Sequence, residues 1–298
     1  MHLRSIEFQM PDRAEAVAFL KAPWGMSEVE TRGATTYLRG TAAQHYSVAI
    51  TEGAERALLS ATVTGSREEI DAVYRRVQKA GLRHGAWIDR FDEPGESAGF
   101  HVLGLEGEPY RFVVEAAAAP AALPVDRTHP IRLAHVVFNT QDREAAVRTM
   151  TDVFGFKLSD RTGYMSFLRC DDLHHVIAYA DSKRPTLNHV AFEMQDTDAV
   201  LRGMGRLKDA GWGTVWGPGR HGPGDNVFAY FVGPFGACIE YTAEIQRVDD
   251  SYVTGTPEFW KFPNGRNDQW GIFSRDMEAM AASGTTFPFH PLTVASVA

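Results

Sequence analysis

Cysteine is scarce: Cys170 and Cys238 are the only two in 298 residues. Two thiols cannot staple a disulfide scaffold, so the fold must rest on its own core. Positive charge is also short. Lys and Arg number 30 against 38 Asp and Glu, a net charge of -8. No basic stripe is present, which excludes the usual electrostatic footprint for nucleic acid or an anionic membrane. No apolar run approaches the roughly 18 residues of a membrane span. The opening Met1-His2-Leu3-Arg4-Ser5 lacks a signal-peptide core. These absences lead us to expect a soluble, cytoplasmic protein that binds a small molecule.

What is present is a repeat. Moving the second half back by 130 positions places Ser5 to Arg13 under His135 to Arg143, and Tyr37-Leu38-Arg39 under Phe167-Leu168-Arg169. Gly25 then lies under Gly155, His45 under His175, and Ala80-Gly81 under Ala210-Gly211. A repeat this long is a duplicated domain. The copies differ where chemistry is concerned: His135 faces Ser5, and His189 faces Leu59. Glu240 faces Glu115 when Gly233-Pro234 is set against Glu108-Pro109.

Each copy reads as two strand-helix-strands units. A first strand over Leu3 to Gln9 precedes Asp12 as a helix cap with Glu15 three residues on, and Asp142 opens the matching helix, expected to reach Val153. Ser66 with Glu69 caps a further helix, whose stripe is Ile70, Val73, Val77 and Ala80. Val200, Met204 and Leu207 line its counterpart. Strands are expected at Leu58 to Thr64, Tyr164 to Leu168, His175 to Tyr179, Leu187 to Glu193 and Val227 to Val232. The expected class is α+β: tandem βαβββ units forming two curved, barrel-like sheets. The expected domains are 1–115, without a metal site, a proline-bearing linker at 116–128, and a metal-binding domain at 129–245. A tail at 246–298 holds Phe259, Trp260, Phe262 and Trp270, which would pack over the cleft or form an interface.

Three side chains of the second copy carry the chemistry. A lone strand histidine is ordinarily a satisfied core residue, and a strand glutamate ordinarily faces water. His135, His189 and Glu240 fall on strands of one copy and make a set of two imidazoles and one carboxylate. That set suits Fe(II) and leaves coordination positions open. In the first copy Ser5 and Leu59 cannot reproduce it.

The run Gly217-Pro218-Gly219-Arg220-His221, followed by Asn226, Tyr230, Pro234, Gly236 and Glu240, resembles type I extradiol ring-cleavage dioxygenases of the vicinal oxygen chelate superfamily. Tyr230 and Glu240 follow His221 by nine and nineteen positions, as in that family, and the resemblance covers about 1–245. Ala229 and Gly233 depart from its pattern at positions that bind no metal. The resemblance implies Fe(II), or Mn(II), held by His135, His189 and Glu240. It implies His175, fourteen before His189, as the acid/base group, with His174 as a competitor that strand alternation would turn to the opposite face. Tyr230 and His221 would contact substrate or oxygen. Asn226 would contact substrate or merely shape the turn, and Trp216 would line the pocket. The implied reaction opens a hydrophobic mono- or bicyclic catechol with O2 in aromatic catabolism, in a homo-oligomer. The competing expectations are a glyoxalase-type isomerase of the same superfamily and a metal-free binding module.

Overall fold

The computed structural model describes residues 1–115, 118–263 and 266–291. The first two residues of the expected linker and residues 264–265 and 292–298 of the expected tail lie outside that range. The first copy runs β1 (His2–Met10), α1 (Arg13–Lys21), β2 (Ser27–Arg32), β3 (Thr35–Arg39), β4 (Val48–Glu52), β5 (Ala57–Thr64), α2 (Arg67–Ala80), β6 (Ala98–Leu103) and β7 (Pro109–Val114). The second runs β8 (Arg132–Thr140), α3 (Arg143–Arg148), β9 (Lys157–Arg161), β10 (Met165–Arg169), β11 (Ile177–Asp181), β12 (Thr186–Glu193), α4 (Thr197–Asp209), β13 (Trp216–Arg220), β14 (Val227–Val232) and β15 (Cys238–Ala243). A last helix, α5, spans Met277–Ser283.

The chain adopts the α+β class expected from its sequence, as two β-sheet domains. Their mixed sheets run β2-β3-β4-β1-β5-β7-β6 and β13-β14-β15-β12-β8-β11-β10-β9. Both sheets are curved but open rather than closed barrels. One apolar core joins them. Trp24 of the first copy stacks on Tyr241 of the second, ring centres 3.8 Å apart, and Tyr241 Oη donates to Trp24 O at 2.6 Å. The segment after β15 returns to the sheets, with Thr186 bridging Pro288 and Leu58 bridging Phe289. No described helix is long and apolar enough to cross a membrane.

Local chemistry explains most helix ends. Ser66 and Glu69 form a reciprocal capping box at α2, and Asp142 accepts from Ala145 N at α3. Asp12 does not cap α1 as expected; its carboxylate is drawn into an ion pair with Arg56. The helix expected to reach Val153 loosens into a π turn over Thr149–Phe154. There the hydroxyls of Thr149 and Thr151 donate to the carbonyls of Ala145 and Val147 and compete for the helical ladder. Ala80 is exposed, so the buried stripe of α2 ends at Val77.

The ladders correct the alignment of the copies. His135 pairs with Ala191, which pairs with Glu240. In the first copy, Ser5 pairs with Thr62, which pairs with Arg111. Likewise Val137 faces His189 where Glu7 faces Ser60. The structural counterparts of His135, His189 and Glu240 are therefore Ser5, Ser60 and Arg111, not Ser5, Leu59 and Glu115. His175 lies two residues before Ile177, which pairs with Val136. Its counterpart is Tyr46, two before Val48, which pairs with Ile6. His45 is displaced by one. The offset of 130 holds as far as β3 and β10 and becomes 129 from β4 and β11. The loop between these strands is one residue shorter in the second copy.

In the first copy a buried ion network fills that space. Arg111 contacts Glu7, Glu93 and Tyr46, while Arg4 donates to Glu93 at 3.0 Å and to Tyr46 at 2.6 Å. Burial would raise the Glu93 carboxyl, but Arg111 and Arg4 outweigh it and hold it down at about 2. A depressed carboxyl stabilises the fold fully above its unfolded value of 4.5 and loses that contribution as pH falls toward 2. The melting temperature should therefore drop steeply below about pH 4.5. Scanning fluorimetry from pH 7 to pH 3 measures it, and a flat profile would contradict the network's charge state.

Candidate metal centre

Three strands of the second sheet meet at one point. β8 supplies His135, β12 supplies His189 and β15 supplies Glu240, and one ligand atom from each lies within 4.8 Å of the others. All three residues are buried, and Glu240 is wholly so. Among the described residues this is the one such cluster. His135 Nε2 stands 3.1 Å from Glu240 Oε2 and His189 Nε2 stands 3.3 Å from it. Even so, His189 Nε2 and Glu240 Oε1 are buried without a hydrogen-bond partner. Buried polar atoms left unpaired at one point are costly unless something is meant to bind them. The donor set fits a divalent ion of the Fe(II) or Mn(II) type.

A local bulge aims His189. The β12–β8 register shifts between Leu187 and His189, placing Asn188 out of step. Asn188 Oδ1 then accepts from His189 Nδ1 at 2.7 Å, while Asn188 Nδ2 donates to Asn139 Oδ1 at 2.7 Å. With its hydrogen held on Nδ1, His189 presents a bare Nε2 to the centre. Burial, set against the attraction of Glu240, keeps the His189 pKa below its ordinary value. Burial raises the Glu240 carboxyl, but His135 and His189 outweigh it and hold it far below the carboxylate range.

A cavity of about 790 Å³ opens onto His135 and His189, with Glu240 wholly buried beside them. His175 lines it with its ring centre 4.6 Å from that of His135. Burial first, then the neighbouring histidines, push the His175 pKa well below 6.5. Tyr230 and His221 line the opposite side and are hydrogen-bonded, Oη to Nε2, at 3.0 Å. Burial, reinforced by Glu240, keeps the Tyr230 phenol protonated. Burial lowers His221 to about 3. Trp216 lines the wall, stacked on Tyr230 at 5.2 Å. Trp260 and Phe262 reach the cavity from the tail and lie against Gly222, where even a Cβ would come within 3 Å of both. Trp270 does not line it; Arg220 covers its ring instead.

Two expectations change. Asn226 is buried, does not line the cavity and donates to Thr242 Oγ1 at 2.7 Å, which favours the turn-shaping alternative. His174 and His175 are not on a strand. Both sit in the loop before β11, and their rings meet, Nδ1 to Nδ1 at 3.0 Å, instead of facing apart. Only His175 reaches the cavity. Sequence reasoning missed Asn188, although it adjoins a ligand. It also missed Asp160 and Arg275, which no spacing ties to the site.

The family model described as Glyoxalase/Bleomycin resistance protein/Dioxygenase superfamily matches residues 132–241, a span that holds all three ligands. The chain is 33% identical over 127 residues to metapyrocatechase 2 of Cupriavidus necator, covering 42% of this chain and 40% of that protein. It is 31% identical over 141 residues to a biphenyl-2,3-diol 1,2-dioxygenase of Metapseudomonas furukawaii, covering 43% and 46%. The chain thus matches less than half the length of these curated relatives. Among solved structures, a Mn(II)-bound glyoxalase from Novosphingobium aromaticivorans is similar over 93% of both chains, with 30% identity and a TM-score of 0.85. A homoprotocatechuate 2,3-dioxygenase variant from Brevibacterium fuscum shares the fold at 23% identity and a TM-score of 0.80, over 91% of this chain and 79% of that one.

Proposed function

The chain belongs to the Glyoxalase/Bleomycin resistance protein/Dioxygenase superfamily, and on that premise we propose that it is an extradiol dioxygenase opening a catechol-type ring with O2. The observation that carries this reading is the buried His135, His189 and Glu240 set beside a cavity bearing His175, Tyr230 and His221. An Fe(II) or Mn(II) ion there would supply a Lewis-acidic centre with open positions and a route for electrons between an aromatic diol and O2.

The chain's own residues do the rest. His175, kept neutral, accepts a diol proton as the substrate enters and returns one to oxygen later. Tyr230, kept protonated, donates toward negative oxygen, with His221 holding its hydroxyl. Met165, Phe167, Trp216, Trp260 and Phe262 hold an aromatic ring and exclude water. His175→Ala should lower kcat by roughly 10²–10⁴-fold, the usual contribution of an acid/base group. An oxygen electrode reads this, and an unchanged kcat would remove His175 from the chemistry.

Arg275 refines the substrate. Its Cζ lies 3.7 Å from the Trp216 ring centre, and its Nε is buried without a partner at the cavity wall. A guanidinium so placed favours a mono- or bicyclic catechol carrying an acidic substituent. Arg275→Leu should raise KM about tenfold for a carboxylated catechol and alter it less than about twofold for catechol itself. Equal changes for both would refute this assignment.

The decisive test is anaerobic loading with Fe(II), then a catechol panel in air. We expect O2 uptake and a yellow, pH-sensitive product. A protein that binds the ion yet consumes no O2 with any catechol would defeat the reading. The glyoxalase neighbour favours a second one, a metal-dependent isomerase. That chemistry usually needs a fourth protein ligand, which the described cluster lacks. Zn(II)- or Ni(II)-dependent isomerisation without O2 uptake would support it. We also propose a homo-oligomer, because Val253, Phe259, Ile272 and Met277 stand exposed along the tail. Analytical ultracentrifugation decides that.

A further inference from the structure

Behind His175 lies a second buried acid that the proposed reaction does not use directly. Asp160, His174 and His175 are all buried. Asp160 Oδ2 is 2.9 Å from His174 Nε2, and His174 Nδ1 is 3.0 Å from His175 Nδ1. The carboxylate also accepts from Tyr252 Oη at 3.1 Å and from Gly255 N at 2.6 Å. Tyr252 and Gly255 belong to the segment after β15, so the tail secures the outer end of the row. Phe167 and the close approach of Gly224 confine the His175 ring at the inner end.

With Asp160 ionised and both rings neutral, the hydrogen inventory of this row has one consistent solution. A carboxylate only accepts, so His174 must donate from Nε2. A neutral His174 then offers Nδ1 as an acceptor. The facing His175 Nδ1 must supply the hydrogen between the two rings, which leaves His175 Nε2 bare. We propose that Asp160 is a positioning residue for His175: acting through His174, it fixes the hydrogen on Nδ1 and leaves Nε2 as the free acceptor at the cavity. The function of this arrangement rests on the ring-cleavage reading; the tautomer itself does not.

The test separates the two. Nitrogen-15 NMR of histidine side chains, on the full chain loaded with diamagnetic Zn(II), reads the tautomer without substrate. In the wild type we expect His175 as the Nδ1–H form. In Asp160→Asn, the amide oxygen is claimed by Gly255 N and Tyr252, so its NH2 faces His174. His174 then donates from Nδ1, and His175 switches to Nε2–H. The analogous carboxylate-to-amide change at a Ser-His-Asp triad acts by the same tautomer logic. With the Fe(II) form, kcat should fall about 100-fold while KM stays within about twofold. His174→Gln keeps a donor for Asp160 and an acceptor for His175, and should retain the wild-type tautomer. His174→Phe should lose it, and this pair decides the matter if Asp160→Asn fails to fold. An unchanged His175 tautomer in Asp160→Asn or His174→Phe overturns the proposal, whatever the activity. A switched tautomer in a protein that opens no catechol leaves the positioning role intact and sinks the proposed reaction instead.

Discussion

Glu240→Ala should strip the bound ion and reduce O2 uptake by at least about 10³-fold while leaving the chain folded. Glu240 offers the one charged atom among the three ligands, and it lies fully buried between His135 and His189. Without it, two neutral imidazoles must hold a divalent cation in a site walled by apolar side chains. Changes even to groups that merely support a ligand cost roughly 10- to 100-fold in metal affinity, so loss of a ligand should cost more. The fold should survive, because the cluster is not a closed hydrogen-bond network: His189 Nε2 and Glu240 Oε1 are buried without a hydrogen-bond partner. Metal content by elemental analysis, with near-ultraviolet circular dichroism as the folding control, measures both halves. A Glu240→Ala protein that keeps stoichiometric iron and turns over would end the three-ligand account.

Arg111→Met should destabilise the protein by about 3–5 kcal/mol, the usual cost of removing one partner from a buried ion cluster. Arg111 stands where Glu240 stands in the other copy, and it neutralises Glu7 and Glu93 inside the first sheet. Arg4 alone cannot serve both carboxylates, because its contacts run to Glu93, Glu115, Tyr46 and Ser5 and not to Glu7. Urea unfolding followed by tryptophan fluorescence reads the change. A shift below about 1 kcal/mol would mean that water or rearrangement satisfies the acids. The double variant Arg111→Met with Glu93→Gln should regain part of the loss, since it removes the stranded charge as well.

Some of this was legible in residue order. The duplication, the fold class and the strand positions follow from apolar spacing, and β14 falls where its pattern places it. His135, His189 and Glu240 could be picked out because their residue types are unusual in buried strands. The correspondence of the copies could not. A gap-free offset conceals a loop that differs by one residue, and a slip of one turns every strand side chain to the other face. That slip hid Tyr46 behind His45 and Ser60 behind Leu59, while a separate shift of four residues in the last strand set Glu115 in the place of Arg111. The row from Asp160 to His175 was hidden for another reason: its members come from separate strands and loops, with Tyr252 and Gly255 far along the chain.

Sequence by itself determined that one half of this protein carries two histidines and a carboxylate that the other lacks, because ligand chemistry is a property of residue type. Tertiary structure alone decided that the three converge, that an arginine network occupies the matching space in the first copy, and that a buried aspartate stands behind His175. Convergence depends on register and bulges, which are set by pairing between strands and leave no mark on spacing within any one of them.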